Sequence, residues 1–303
     1  MTIGITLKEV MDATEKVLAK EATFITEKEA ASVIKTIQDM LDVYIVTNKI
    51  KSLIIGVSGG IDSALCCAIA EPVCRHLGIP LIGRSLPIET NTDEEQKRAI
   101  ATGEAFCTDF RENTDLLATF FNVEMDVTEK YVLMANEMEE KIRRGNIKAR
   151  LRMIYLYNLA YTNKGMVLGT DNYTEYLLGF WTLHGDVGDF GMIQNLWKTE
   201  VYTLSKYLLN DYSSGCNQDF KKAEAMRLCI DAVPTDGLGI TNSDLEQLGA
   251  KTYEEVDEIL SDYTHGREVD EDHSVIRRHL KSEFKRNNPY NISRRKLIKE
   301  EIE

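Results

Sequence analysis

Positive charge is in short supply in this 303-residue sequence: 36 lysines and arginines stand against 49 aspartates and glutamates, a net charge of −13. A general nucleic-acid binder needs clustered Lys and Arg to neutralise phosphates, so the balance argues against that class. One stretch runs against the balance, RRHLKSEFKRNNPYNISRRKLIK near the C-terminus. It reads either as a solvated, helix-prone tail or as a basic wall around an anionic ligand. The six cysteines contain no CxxC pair, and Cys66 and Cys67 sit side by side in an apolar run, where they serve as small core residues. A reduced, cytoplasmic setting is expected. No signal-peptide pattern opens the chain, and no apolar segment approaches the roughly 20 residues that span a bilayer, so a soluble protein without membrane partners is expected. Internal repeats, low-complexity tracts and clear linkers are also missing. What is present is 43% hydrophobic residues, enough to bury a substantial core.

Residues 6 to 48 carry apolar positions at helical spacing (Val33, Ile34, Ile37, Met40, Leu41, Tyr44, Ile45), which predicts two amphipathic helices. SLIIGV then reads as a buried parallel strand, ALCCAIAEPVCRHL as a helix kinked or ended early at Pro72, and IPLIGRSLP as a second strand. DEEQKRAIATGEAFC continues as a helix, NVEMDV as a short strand, KARLRMIYLYNLAYTNK as a helix and GMVLGT as an apolar strand. The alternation predicts an α/β, Rossmann-like doubly wound parallel sheet with flanking helices, its ligands at the C-terminal ends of the strands. Residues 182 to 242 are richer in Gly, Asp, Asn and Ser and are expected as long loops around short helices, with mobility over residues 213 to 225.

The stretch GVSGGIDS, Gly56 to Ser63, lies where the first strand meets the next helix. Ser58, Gly59 and Gly60 let backbone approach an anion that the free N–H groups of the helix start would hold, and Ser63 adds a hydroxyl; an ordinary Gly-rich turn is the plainer alternative. Asp62 decides between them. A helix N-terminus favours an anion by at most about 2 kcal/mol, whereas two unit negative charges about 4 Å apart repel by about 4 kcal/mol at an effective dielectric of 20. A Mg²⁺ held between Asp62 and phosphate oxygens reverses that sign. The lysine of a Walker A loop is absent.

This loop resembles the SGGxDS loop of the PP-loop ATP pyrophosphatases, which cleave ATP to AMP and pyrophosphate. GNIKARLRM (with Lys148 and Arg150), GTDNYTE (with Thr170 and Glu175), GFWTLHGDVGDF, NLWKTEVYTL, VPTDGLGITNSDLEQLGAKTYEEVDEIL and FKRNNP follow in the order found in NAD synthetases. Taken singly, the first two could be a helix with solvated charges and a turn with an Asx cap. Together they resemble that family over roughly residues 30 to 290.

Carried over, the resemblance implies ATP as co-substrate cradled by Gly56, Ser58, Gly59, Gly60, Asp62 and Ser63, with Leu86 of the SLP strand end near adenine. Asp62 and Glu175 would bind Mg²⁺, Thr170, Lys198 and Thr235 would contact ATP, Arg150 and, with one gap in the match, Asp189 would contact the dinucleotide, and Lys285 matches the binding lysine of the family's terminal pair. Asp62, Lys198 and Asp189 are the catalytic candidates, with Asp186 as a second acid near the ammonia or as a turn residue beside Gly185 and Gly188. Leu183 stands where the family has a substrate-binding lysine, Phe284 where it has a histidine and Asn172 where a histidine is common; the neighbouring His184 or another cation would have to compensate for Leu183, and the stretch from Lys198 to Thr235 is longer than the bacterial pattern.

The implied reaction is amidation of nicotinic acid adenine dinucleotide (deamido-NAD⁺) to NAD⁺ through an acyl adenylate, releasing pyrophosphate and then AMP. A glutaminase domain would need a nucleophilic cysteine in a large added block, and residues 1 to 50 are too short for one, so direct use of ammonia is expected. The expected layout is one domain, with N-terminal helices over 1–50, a nucleotide-binding core over 51–180 and substrate loops and helices over 181–303. The N-terminal helices and MIYLYNLAY offer apolar faces for a homodimer, although Tyr155 and Tyr157 could equally be core. A superfamily member acting on RNA or a purine nucleotide, and a catalytically silent nucleotide sensor, are the competing classes. Net acidity argues against the first, and Asp62, Glu175 and Lys198 against the second.

Overall fold

Successive residues of the inner strands point to opposite faces, and that alternation sets the layers. The structure, a computed structural model, describes residues 23–89, 91–131, 137–233 and 244–298. Its first half runs α1 (Glu27–Asn48), β1 (Leu53–Gly56), α2 (Ile61–Leu77), β2 (Leu81–Ser85), α3 (Asp93–Phe106), β3 (Asp109–Glu112), α4 (Leu116–Tyr131) and α5 (Glu137–Thr162). Then come β4 (Met166–Gly169), α6 (Tyr173–Leu178), β5 (Phe190–Gly191), α7 (Lys198–Ser214), α8 (Phe220–Ile230), α9 (Asp244–Leu248), α10 (Tyr253–Thr264), α11 (Ser274–Lys281), α12 (Glu283–Arg286) and α13 (Arg294–Leu297). The strands are parallel in the order β3-β2-β1-β4-β5.

Leu53, Ile55, Leu81, Met166 and Leu168 turn to one face, where they meet Leu41 of α1, Ile69 of α2, Leu204 of α7 and Met226 of α8. Ile54, Ile82 and Val167 turn to the other, against Phe120 of α4 and Leu156 of α5. Both faces are therefore covered, as a doubly wound sheet requires. A third apolar cluster joins Leu177 and Leu178 of α6 and Trp197 to Val256 and Leu260 of α10 and Val275 of α11. The chain leaves β1 toward β2 and β3, then returns to β4 on the other side. This reversal opens a crevice beyond the C-terminal ends of β1 and β4.

Three sequence expectations need correction. The third strand is β3, whereas NVEMDV lies inside α4: its alternation was local, and Leu116 and Phe120, four apart, bury a helical face. Of the two outcomes expected at Pro72, a kink or an early end, the early end does not occur, since α2 continues to Leu77. Its residues from Ile61 to Ala70 are nearly all buried, and this packing outweighs the roughly 3 kcal/mol that an interior proline costs. The region 182–242 contains the 17-residue α7, with Val201, Leu204, Leu208 and Tyr212 buried, rather than short helices alone. The stretch expected to be mobile forms the end of α7, a short link and the start of α8; Asn217 donates to Asp211 at 2.7 Å, and Asp219 caps α8. Of the two N-terminal helices, the structure describes α1; residues 6–22 lie outside the described residues.

Candidate active site

The glycine turn is pinned from behind. Gly59 adopts φ 83, in the left-handed region, and a Cβ there would lie 2.3 Å from the Glu95 carbonyl oxygen, so α3 packs directly on the turn. Arg98 of α3 donates to the Gly59 carbonyl at 2.9 Å, and the Cys229 thiol of α8 approaches the same oxygen at 3.6 Å. Ser63 donates to the Gly60 carbonyl at 3.0 Å and accepts from the Ser58 N–H at 3.3 Å, which closes the turn over the first residues of α2. Gly60 is the residue before that helix, whose leading N–H groups have no intrahelical acceptor.

Asp62 stands in the first turn of α2 and meets two partners from the far side of the switch point. Lys198, the first residue of α7, donates its ammonium to Asp62 Oδ2 at 2.6 Å and to Glu175 Oε1 at 3.0 Å. Asn172, fully buried, donates its amide to Asp62 Oδ1 at 2.8 Å while its carbonyl accepts from the Glu175 N–H at 2.9 Å. One side chain thus caps α6 and orients the Asp62 carboxylate. Burial works against the Lys198 charge, but Asp62 and Glu175 outweigh it and hold the ammonium well above the usual lysine range. Burial and the neighbouring Asp62 push the Glu175 carboxyl up to about 7.

Asp171, between Thr170 and Asn172, belongs to the same acidic wall: burial, then Glu175, Asp186 and Asp62, push its carboxyl well up. Thr170 follows β4 directly, at the C-terminal end of this inner strand. Leu86 is buried, and its carbonyl accepts from Arg152 at 2.9 Å.

The remaining candidates gather on the loop after α6. Arg150 donates to the Leu183 carbonyl at 3.1 Å, so the position where the family has lysine is touched by a cation from α5. Lys285 donates to the carbonyls of Gly179, at 2.6 Å, and Trp181. Burial and Arg278 lower its pKa. His184 contacts Asn288 at 3.4 Å, and Phe284 is exposed. Asp186 accepts from the Thr182 N–H at 2.7 Å, and burial raises its carboxyl. Asp189 lies apart from the Lys198 cluster, its oxygens accepting from the Val167 N–H at 2.9 Å and the Tyr157 hydroxyl at 3.1 Å. Thr235 falls outside the described residues.

Two residues missed in the sequence stand behind Lys198. Asp257 of α10 accepts from Thr174 Oγ1 at 2.6 Å and from the Thr199 N–H at 2.9 Å; the Thr174 oxygen accepts from the Lys198 N–H at 2.9 Å. No motif spacing links positions 83 residues apart.

Residues 33–289 match the family model of NAD synthase. The NH(3)-dependent NAD(+) synthetase of Thermoplasma acidophilum is 33% identical over 251 residues, covering 80% of this chain and 91% of the relative. Among solved structures, an NMN synthetase from Francisella tularensis superposes with a TM-score of 0.68 at 24% identity, covering 87% of this chain and 97% of that one. An NH3-dependent NAD synthetase from Campylobacter jejuni gives a TM-score of 0.61 at 20% identity, covering 87% and 99%. At those identities the structural likeness is one of fold. The sequence matches carry the further step: this chain belongs to the NAD synthase family.

Proposed function

We propose that the protein amidates deamido-NAD⁺ with ammonia, using ATP and Mg²⁺, and releases AMP, pyrophosphate and NAD⁺. The observation that carries this reading is the Lys198 ammonium shared by Asp62 and Glu175 beside the glycine turn, at the reversal of strand order. Two carboxylates are the donor set that Mg²⁺ uses alongside substrate phosphates, so Asp62 and Glu175 fit that ion. When bound, it neutralises charge on the triphosphate.

A carboxylate acylates poorly, so the substrate carboxylate oxygen attacks the α-phosphorus, and the bond to the bridging oxygen of pyrophosphate breaks. The N–H groups leading α2 hold the leaving pyrophosphate, and Lys198 offsets its charge. Ammonia then attacks the acyl carbon and AMP leaves. Asp189 binds ammonium and takes its proton, with Asp186 as the neighbouring acid. Replacement of Asp189 by Asn is expected to depress amide formation while pyrophosphate release continues; equal loss of both removes the residue from that role.

The experiment for the reaction as a whole is incubation with ATP, Mg²⁺, ammonium and deamido-NAD⁺. AMP and NAD⁺ rising in step support the reading, and nucleotide binding without either product contradicts it. The six cysteines are free, which suits the reducing cytoplasm proposed as its location, and among the described residues no helix is long and apolar enough to cross a membrane.

A homodimer is part of the same proposal. On α5, Met153, Leu156 and Ala160 are buried, while Ile154 and Tyr161 on the opposite stripe are 66% and 89% exposed. Burying such side chains is worth about 1.5–3 kcal/mol each, and a twofold axis counts each twice. Ile154→Glu combined with Tyr161→Glu is expected to convert the dimer to monomer in sedimentation equilibrium; an unchanged mass places the interface elsewhere.

A further inference from the structure

We propose that Asp257 is a positioning residue for Lys198 that acts through the Thr174 hydroxyl; this rests on the role given to Lys198 above. Asp257 is fully buried on α10, and both its oxygens are engaged, Oδ1 by Thr174 Oγ1 and Oδ2 by the Thr199 N–H. A threonine hydroxyl has one proton. Because that proton goes to the carboxylate, the oxygen's lone pairs are left to accept the Lys198 N–H.

One acid thereby satisfies two of the leading N–H groups of α7, which have no acceptor within the helix. Its negative charge also suits the positive end of the helix. Thr174 is the neighbour of Glu175, and Lys198 is the residue whose ammonium reaches Asp62. The same carboxylate therefore fixes the main-chain positions from which two members of the cluster extend. α10 contributes once more, since the Tyr253 ring centroid lies 5.6 Å from the Lys198 ammonium.

An ordinary helix cap and a positioning relay differ in what they predict. A cap that serves only the fold affects melting, and its loss is independent of Thr174. A relay affects the rate, and its loss vanishes once the hydroxyl is gone. Asp257→Asn keeps the shape but must turn its NH₂ toward Thr174, where it competes with the Lys198 N–H, or toward Thr199, where two donors face each other. Thr174→Val removes the hydroxyl at constant volume, and Thr174→Ser keeps it.

The test is AMP formation at saturating substrates, with thermal unfolding in parallel, for these three variants and the Asp257→Asn, Thr174→Val double. Each of Asp257→Asn and Thr174→Val is expected to lower kcat about tenfold, as a small misplacement of a reacting group does, with KM for ATP within about twofold. The double variant falls no further than the worse single, and Thr174→Ser recovers most of the rate. Losses that multiply in the double, a serine variant as slow as the valine one, or a lowered melting temperature with kcat intact each overturn the proposal. If Asp257→Asn does not fold, the serine and valine variants decide alone, and equal rates overturn it. Wild-type protein without turnover defeats the proposed function and this inference together; wild-type turnover with uncoupled variants defeats only this inference.

Discussion

Asp62→Asn is expected to lower AMP formation by at least about a thousandfold in the presence of Mg²⁺, the scale of losing a group that stabilises transition-state charge. The same variant is expected to bind metal-free ATP more tightly than the wild type. The two results come from one cause. Asp62 stands in the first turn of α2, where phosphate is otherwise favoured by the helix N-terminus, and its charge opposes the nucleotide by more than that terminus gains. The neighbouring ammonium at 2.6 Å offsets part of this repulsion, but Lys198 is shared with Glu175, and the three groups together keep a negative balance while both acids are ionised. With Mg²⁺ present the aspartate gains a partner and the order of affinities reverses. Calorimetric titration of ATP into both proteins, with EDTA and with Mg²⁺, reads this crossover directly. An Asn variant that forms AMP at the wild-type rate, or whose ATP affinity responds to Mg²⁺ as the wild type's does, contradicts the assignment.

The second large effect lies at Lys198. Its side chain is 4% exposed, and its two carboxylate partners are about a fifth exposed, so removing the ammonium strands two largely buried charges. Losing one member of a buried ion cluster costs roughly 3–5 kcal/mol, and the residual exposure of the acids puts Lys198→Met at the low end, about 3 kcal/mol. Its kcat is expected to fall by about a hundredfold or more, because the charge offset during attack on the α-phosphorus goes with it. Adding Glu175→Gln to Lys198→Met removes one stranded charge and is expected to recover much of the stability and none of the rate. Urea unfolding of the single and double variants, set beside AMP formation, checks both halves. A Lys198→Met protein as stable as wild type, or a double variant less stable than the single, contradicts the ion cluster described here.

The inner part of the fold was legible because β1 and β4 are short apolar runs and β2 opens on one, and because long helices follow β1 and β2. β3 was not, since it lies at the sheet edge with Arg111 and Glu112 exposed, and four such residues carry no apolar signal. α7 carried a clear one, with Val201, Leu204 and Leu208 at helical spacing, but averaging the composition of 182–242 concealed it. At the site, the local chemistry of SGGIDS and the sign problem of Asp62 were readable directly. The meeting of Asp62 with Lys198, 136 residues apart, was available only through resemblance to a family with both positions in fixed order. Asn172 shows the limit from the other side. It looked like a departure from a histidine, and the structure gives it two tasks, capping α6 and holding the Asp62 carboxylate.

The proposed reaction turns on attack by the substrate carboxylate at the α-phosphorus of ATP. Deamido-NAD⁺ labelled with ¹⁸O in its carboxylate, turned over with ATP, Mg²⁺ and ammonium, tests it most directly, by mass spectrometry of the products. One labelled oxygen in AMP and none in pyrophosphate is expected. Unlabelled AMP, or label in pyrophosphate or orthophosphate, contradicts it.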